Sequence, residues 1–139
     1  MDLTLLKNAW LLAVQANSNF QNDSFRVSEQ YDAALNGKDS YPFFHLELPF
    51  NISETVNRIE IRYAVTVTDY LKDGLDPFPT LDNSLKLFLQ LLKYVRDNNK
   101  ATFTVENGWT ALTITEYSDD SVHGVRVELT SRLLKNYLC

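Results

Sequence analysis

The stretch TLDNSLKLFLQLLKYVRD, residues 80–97, decides the fold class of this chain. At about 100° per residue, its apolar side chains form one broad arc of roughly 220° around a helix. The residues of this arc are Leu81, Leu85, Leu87, Phe88, Leu89, Leu91, Leu92, Tyr94 and Val95. Because a sheet covers only one side of a helix, we expect the rest of the arc to contact another helix or another chain. Leu87, Leu91 and Tyr94 are the candidates for that second contact.

A first amphipathic helix is predicted near the start of the chain, at residues 3–17. Leu11 lies apart from its apolar positions, among polar residues, and is a candidate contact with another subunit. Residues 17–41 are rich in Asn, Asp and Ser, which favours a long loop that could include a short helical turn at residues 28–35.

Alternating apolar and polar residues predict two strands after this loop, at residues 42–50 and 57–70. The second strand has the clearest alternation in the chain. At about 3.3 Å per residue it would span roughly 40 Å, so we expect it to project beyond its own sheet. The turn-rich residues 71–79 then lead into the second helix.

Three short strands are predicted after the second helix, at residues 101–106, 109–117 and 122–131. Asn107-Gly108 between the first two indicates a tight β-hairpin. Gly124 inside the last strand indicates a bulge or a close backbone approach.

The predicted order of elements is therefore α-β-β-α-β-β-β. It predicts one α+β domain over residues 1–139, with an antiparallel or mixed sheet of four or five strands and two helices mainly on one face. Residues 132–139 are expected to form an apolar and basic C-terminal tail.

The charge of the chain disfavours nucleic-acid binding by phosphate neutralisation, because 13 Lys and Arg stand against 18 Asp and Glu. The charge is also uneven: residues 19–85 hold eleven acidic and five basic side chains, and residues 121–139 are basic. Such asymmetry would suit head-to-tail contact between identical copies. The N-terminus lacks the positive region of a signal peptide, and no apolar run approaches the roughly 20 residues of a membrane span. We therefore expect cytoplasmic synthesis and no membrane contact.

Catalytic, cofactor and metal motifs are absent from the sequence. A zinc site needs three or four ligands at short spacings, and His45 and His123 each stand alone. Asp69, Asp73 and Asp76 do not follow the ligand order of a calcium loop. The only cysteine, Cys139, excludes an intrachain disulfide. We expect a protein that is not an enzyme and that binds no cofactor or metal.

The order of elements, with a long second strand and a closing meander, resembles the tail-terminator and head–tail connector ring proteins of tailed bacteriophages. The resemblance lies in pattern and order rather than in a diagnostic motif. The segments that carry it are YPFFHLELPF (41–50), RIEIRYAVTVTDYLKDG (58–74), SLKLFLQLLKYVRDN (84–98) and VHGVRVELTSR (122–132).

The resemblance implies a virion structural protein of the neck or tail end. Copies would pack side by side, as hexamers or dodecamers, around a channel that passes DNA without reading its sequence. Other connector or tail proteins would be their neighbours. The candidate residues for contacts between subunits are Leu11, Leu87, Leu91, Tyr94, Tyr70, Asp73, Asp76, Arg132 and Tyr137.

Two other functions stay open at this point. The chain could be a small binding or inhibitor protein that presents Asp69, Asp73 and Asp76 to a basic partner. It could also be a small enzyme whose site combines residues distant in the sequence, namely His45, Glu47, Arg62 and Glu116.

Overall fold

The computed structural model of the chain describes residues 3–21, 24–28, 41–54, 56, 58–70, 76–115 and 122–134. Two helices and six strands lie in these residues. In chain order they are α1 (Thr4–Ala16), β1 (Phe25–Ser28), β2 (Phe43–Glu54), β3 (Arg58–Tyr70), α2 (Phe78–Asn98), β4 (Phe103–Val105), β5 (Thr110–Thr115) and β6 (Val122–Leu134).

The strands form one mixed sheet in the order β1–β2–β3–β6, with β4 and β5 both on the other side of β6. β1 runs parallel to β2, and all other neighbours are antiparallel. The α+β class is confirmed. The predicted number of four or five strands is wrong, because the described residues already contain six.

The additional strand is β1, which lies inside the segment that was predicted to be a loop. Four residues, Phe25–Ser28, pair with Phe44–Glu47 of β2. Phe25 and Val27 pack against the core, but two apolar residues are too few to give a periodic signal. The predicted helical turn lies outside the described residues, apart from Ser28, which belongs to β1.

The predicted hairpin at Asn107-Gly108 is also wrong. β4 lies opposite Ser131–Leu133 of β6, and β5 lies opposite His123–Glu128, so both strands follow the same side of β6. Residues 106–109 therefore form a bulge in one interrupted edge strand, facing only two residues of β6. The backbone amide of Glu106 continues the ladder by donating to the carbonyl oxygen of Thr130 at 2.9 Å.

Contacts with α2 explain why this segment bulges instead of turning back. Arg96 of α2 donates to the carbonyl oxygens of Val105 and Glu106, at 3.3 and 2.9 Å. The ring of Trp109 packs edge-on against Phe88, with 5.3 Å between ring centroids. Two anchors from the helix thus outweigh the local turn preference of Asn-Gly.

β6 is longer than predicted. It continues through Arg132 and Leu133 to Leu134 instead of ending at Ser131. Leu133 lies in the core, only 1% exposed, opposite Phe103 and Ile59. The predicted tail therefore does not begin at residue 132, and residues 135–139 lie outside the described part of the chain.

Both helices pack on one face of the sheet, and a row of aromatic rings crosses the layer between them and the strands. Phe25 stacks on Phe44, and Phe44 stacks on Trp10 of α1, at 5.5 Å in each case. Trp10 stacks on Phe88 of α2 at 6.4 Å, and Phe88 contacts Trp109. Each such pair contributes about 0.5–1.5 kcal/mol beyond its buried area. The row connects β1, at one side of the sheet, to the residue before β5, at the other.

A buried polar network fixes α1 against the sheet. The indole Nε1 of Trp10 donates to the hydroxyl of Tyr63 at 3.1 Å, and this hydroxyl lies 2.8 Å from Ser131 Oγ. Burial raises the pKa of Tyr63 to about 12. The network joins α1, β3 and β6 with each hydroxyl paired inside the core.

Gly124 of β6 marks a close backbone approach, as the sequence predicted. A Cβ atom at this position would lie 2.0 Å from the carbonyl oxygen of Val67 and 2.8 Å from Thr68 Cα. Only glycine allows β3 and β6 to pair at this point without a shift of the backbone.

Candidate functional site

The surplus apolar arc of α2 is largely covered within the chain itself. Leu87 and Leu91 are 3% and 0% exposed, and both belong to the hydrophobic core. α1 packs beside α2, where Asn17 Nδ2 donates to Gln90 Oε1 at 2.9 Å. Of the two contacts that the sequence allowed for these leucines, another helix or another chain, the structure shows a contact within the chain, and their side chains do not reach its surface. Tyr94 is half-buried against the same core.

The apolar side chains that do reach the surface lie elsewhere. Among the described residues, six large hydrophobic side chains are exposed: Leu12, Ile52, Val56, Phe78, Leu89 and Leu112. Leu112 is in β5, Phe78 and Leu89 are in α2, and Ile52 and Val56 lie near the tip of the β2–β3 hairpin. Together with Leu12 in α1, three of the six therefore lie on the helices, and the other three lie at two sides of the sheet.

The first of these sides is the β5 edge, by which we mean the side of β5 that faces away from β6. β5 has the sequence TALTIT, with no charge, no proline and high β propensity. Its first four side chains are exposed, and Leu112 is 67% exposed. Natural proteins usually protect edge strands with charges, prolines or bulges. β5 has none of these within its six residues, and no other described strand than β6 pairs with it.

On the helix side of the sheet, the flank of α2 that lies nearest to β5 does not cover the β5 edge. Arg96 contacts the β4–β5 bulge and therefore shows which flank of α2 faces this side of the sheet. Leu89, two helical turns earlier, lies on the same flank and is 42% exposed. Ala111 and Thr113, the β5 residues on the helix side of the sheet, are also exposed. Leu89, Ala111 and Thr113 thus give this side of the molecule a set of exposed side chains on both the helix and the sheet.

The second side is the β2 edge, by which we mean the outer side of residues 51–54. β1 covers β2 only at residues 44–47, and the pairing of β2 with β3 then shifts between Glu47 and Asn51. Beyond this bulge all four side chains are exposed, including Ile52 at 40%.

The sheet face without a described helix, which we call the helix-free face, carries an ion-pair network centred on Arg126. Its Nε and Nη2 donate to the two carboxylate oxygens of Glu47, both at 2.9 Å, and Nη1 donates to Glu128 at 2.9 Å. The hydrogen bonds to Glu47 raise the pKa of Arg126 above its usual range. Because three nitrogens are engaged, Arg126 fixes two carboxylates in place and is not an open phosphate site.

A second network on this face contains Arg132, one of the predicted contact residues. Its Nη2 lies 3.3 Å from Glu60, and its Nε lies 2.6 Å from Glu106 as an ion pair without hydrogen-bond geometry. Glu60 also binds Arg62 at 3.2 Å. The side chains of Glu60 and Arg132 are 12% and 36% exposed, and these partly buried pairs engage Arg132 within its own chain.

A cleft of about 390 Å³ lies between these networks on the helix-free face. Glu47, Arg62, Arg126, Glu128 and Thr110 are among its lining residues. The cleft thus brings together Glu47 and Arg62, two members of the hypothetical enzyme site. His45 is fully buried, and Glu116 lies outside the described residues, so the structure does not assemble all four.

The acidic surface proposed for an inhibitor is reduced. Asp69 is only 9% exposed and lies opposite His123 in the sheet. Asp76 is exposed, and its carboxylate accepts the backbone amide of Phe78 at the start of α2, at 3.1 Å. Asp73 lies outside the described residues, so Asp76 alone represents the predicted acidic surface here.

The remaining predicted contact residues have different surroundings. Leu11 is half-buried on α1. The backbone of Tyr70 ends β3, opposite Val122. Tyr137 is outside the described residues. Leu11, Tyr94 and Arg132 lie on three different elements, α1, α2 and β6.

A metal site does not arise from the described side chains, because no three His, Cys, Asp or Glu residues among them lie close enough to share an ion. Neither α1 nor α2, the helices of the described residues, is long and apolar enough to cross a membrane.

Comparison with known proteins gives no family for this chain, since no protein-family model matches it and no curated protein is significantly similar to it.

Sequence reasoning missed both sheet edges. The available signal for the β5 edge was the absence of charge in TALTIT. The predicted hairpin instead made this segment an ordinary inner strand of the sheet. For the β2 edge, Pro49 was the signal, because a proline in a strand marks an edge or a bulge.

Proposed function

We propose that this chain is a structural subunit that assembles into a closed homo-oligomeric ring. The ring would be of the kind that tailed bacteriophages build at the head–tail junction, as a tail terminator or connector. It would contain six or twelve copies, contact other connector or tail proteins, and let DNA pass without recognising its sequence. Its place would be the virion neck or tail end, after synthesis in the host cytoplasm. The role requires no catalysis, cofactor or membrane.

The observation that carries the proposal is the unprotected β5 edge. An edge strand with no charge and with a two-thirds exposed leucine is an aggregation hazard in a protein that must stay monomeric. In a subunit that assembles, the same strand is a contact surface. The long strand β3 is part of the resemblance to phage ring proteins, and this resemblance favours a closed ring as the form of the assembly. The strand β1 and the pairing of both β4 and β5 with β6 depart from the expected order.

The energy available from Leu112 is sufficient to influence assembly. Full burial of a leucine side chain stabilises by about 1.5–3 kcal/mol, so burying its exposed two thirds would contribute about 1–2 kcal/mol per contact. This corresponds to a change of about 5–30-fold in the association constant between neighbouring subunits.

The variant Leu112→Lys tests this role. Lysine removes the apolar contact and places a charge on the edge. Arg126 lies opposite residue 112, but with Glu47 and Glu128 its cluster carries a net charge of −1, so the lysine is not repelled within the monomer. We expect a folded monomer at concentrations where the original chain forms rings, measured by light scattering and negative-stain microscopy.

Leu12→Lys is the matched control, because Leu12 is 55% exposed and lies on α1 and not on a strand. It should leave ring formation unchanged. If Leu112→Lys forms rings as readily as Leu12→Lys, the β5 edge is not an assembly surface and the proposal loses its support.

A further inference from the structure

A small pocket lies where β3, β4 and β6 come together, and we call it the β4 pocket. It has a volume of about 70 Å³ and is lined by Arg58, Lys100, Thr102, Phe103, Thr104 and Arg132. We propose that the β4 pocket binds a phosphate group. The pocket is formed within a single chain, so this binding does not depend on the proposed ring.

The register of the sheet collects cationic side chains from distant parts of the sequence at this pocket. Thr104 of β4 lies opposite Arg132 of β6, and Arg132 lies opposite Glu60 of β3. Arg58, two residues before Glu60, therefore shares their face of the sheet. The lining residues include three cationic side chains and no carboxylate, although the whole chain has a net charge of −5. An anion is therefore the ligand that suits the lining.

Lys100 belongs to a turn that is fixed by the carbonyl oxygen of Asn99. This oxygen accepts the backbone amides of Thr102 and Phe103, at 3.0 and 3.1 Å, and the Thr102 hydroxyl at 3.1 Å. A lysine just after a helix often binds the last carbonyl oxygens, but here the side-chain amide of Asn99 already donates to Val95, at 2.8 Å. Lys100 is exposed and makes no ion pair within the described part of the chain. Its ammonium group is thus available to a ligand.

Arg132 and Thr104 provide further donors. The guanidinium of Arg132 lies 3.3 Å from Glu60 and 2.6 Å from Glu106, but its buried Nε has no hydrogen-bond acceptor among the described residues. Thr104 is exposed, and its hydroxyl makes no hydrogen bond to any described residue. With Lys100 unpaired, the three cationic side chains exceed these two carboxylates. Hydrogen bonds between cationic donors and phosphate oxygens are among the strong ones in proteins.

The size and shape of the β4 pocket favour a phosphate group over a larger ligand. Sites for drug-sized molecules have about 300–1,000 Å³, whereas one water molecule takes about 30 Å³ in the liquid. About 70 Å³ therefore admits a small ion. A tetrahedral phosphate can direct different oxygens to Lys100, Thr104 and Arg132 at once, which the two coplanar oxygens of a carboxylate cannot do. The group could belong to a free phosphate ion or to the backbone of DNA, since both present the same oxygens.

The line width of inorganic phosphate in phosphorus NMR tests the site, because binding to the protein broadens the line whether or not the chain is assembled. Sodium chloride would hold the ionic strength constant, so that general screening does not change. We expect saturable broadening with the original chain. Lys100→Ala should weaken binding by about tenfold or more, because it removes a hydrogen bond between charged groups. Thr104→Val should weaken it as well.

Lys86→Ala is the matched control, because Lys86 is an exposed lysine on α2, on the other face of the sheet. It should bind phosphate like the original chain. A phosphate line that is not broadened, or that Lys100→Ala broadens as much as the original chain, would overturn the proposal and leave the ring untouched.

A short DNA duplex of mixed sequence then identifies the source of the phosphate group. If the duplex displaces phosphate and narrows its line, the β4 pocket binds a phosphate of the DNA backbone. If the line stays broad with the duplex in excess, the pocket binds free phosphate. Displacement by the duplex that Lys100→Ala leaves unchanged would contradict a DNA contact at this pocket.

Discussion

Replacing Tyr63 with phenylalanine tests the buried network that fixes α1 on the sheet. The substitution keeps the ring that packs against Phe50 and Trp10, at centroid distances of 5.7 and 6.4 Å, and removes only the hydroxyl. Trp10 Nε1 then loses its acceptor, and Ser131 Oγ loses its partner. An unpaired buried donor costs about 1–3 kcal/mol, so we expect a loss of this size in the free energy of unfolding near pH 8.

The same hydroxyl makes stability depend on pH in the alkaline range. In the unfolded chain a tyrosine has a pKa of about 10, and in the folded chain the pKa of Tyr63 is about 12. The neutral phenol therefore stabilises the fold fully below pH 10, and this contribution is lost as the pH rises from 10 to 12. The total loss is about 2–3 kcal/mol, of which between about 1 and 2 kcal/mol is lost by pH 11.

Urea unfolding at pH 9 and pH 11 measures this difference. The original chain should lose more stability over this interval than Tyr63→Phe, by between about 1 and 2 kcal/mol. Tyr94→Phe, at a half-buried position on α2, is the control and should follow the original chain. Parallel losses in the original chain and in Tyr63→Phe would refute the assignment of a buried, neutral phenol.

Three further outcomes follow from the sheet. Gly124→Ala should unfold the chain or destabilise it by more than about 3 kcal/mol, because the new Cβ would overlap the carbonyl oxygen of Val67. Gly108→Ala is the control and should change thermal unfolding little, since nothing lies within 4 Å of a Cβ at that position. Arg126→Met should lower the free energy of urea unfolding by about 1–3 kcal/mol, because it leaves Glu47 without its two hydrogen bonds. An unchanged free energy would show that the Arg126–Glu47 pair does not stabilise the fold. Trp109→Ala removes the packing of the indole ring on Phe88, so it should lower the melting temperature and speed hydrogen exchange of the backbone amides of β5. Unchanged exchange would show that other contacts hold the bulge.

The long periodic elements could be predicted from the sequence. Residues 57–70 were predicted as a strand and form β3, Arg58–Tyr70, and residues 80–97 fall within α2. In both elements, many residues repeat one spacing of apolar and polar side chains, and the buried residues follow the same spacing. The close approach at Gly124 was also predicted correctly, because a glycine within a strand pattern often marks a place where another backbone comes near.

The remaining elements depend on contacts between distant residues. β1 has only four residues and is formed by pairing with β2 and by the stacking of Phe25 on Phe44. The course of residues 106–109 is set by Arg96 and Trp109, which outweigh a strong local turn signal. The sequence could not indicate either result, because the partners lie ten or more residues away in most of these contacts.

The candidate site shows the same division. The apolar arc on α2 is as broad as predicted, but Leu87 and Leu91 are buried in the core of the chain itself. Which strands become edge strands depends on the topology of the whole sheet. The exposure of Leu112 follows from the order β3–β6–β5, which no local pattern reveals.

The most direct test of the ring is the molar mass of the purified chain, measured by light scattering over a wide range of concentration. A closed ring predicts one assembled species, whose mass is a fixed multiple of the 16.0 kDa chain and does not grow with concentration. A single species of 16.0 kDa throughout, or a mass that rises without limit, would contradict a closed ring.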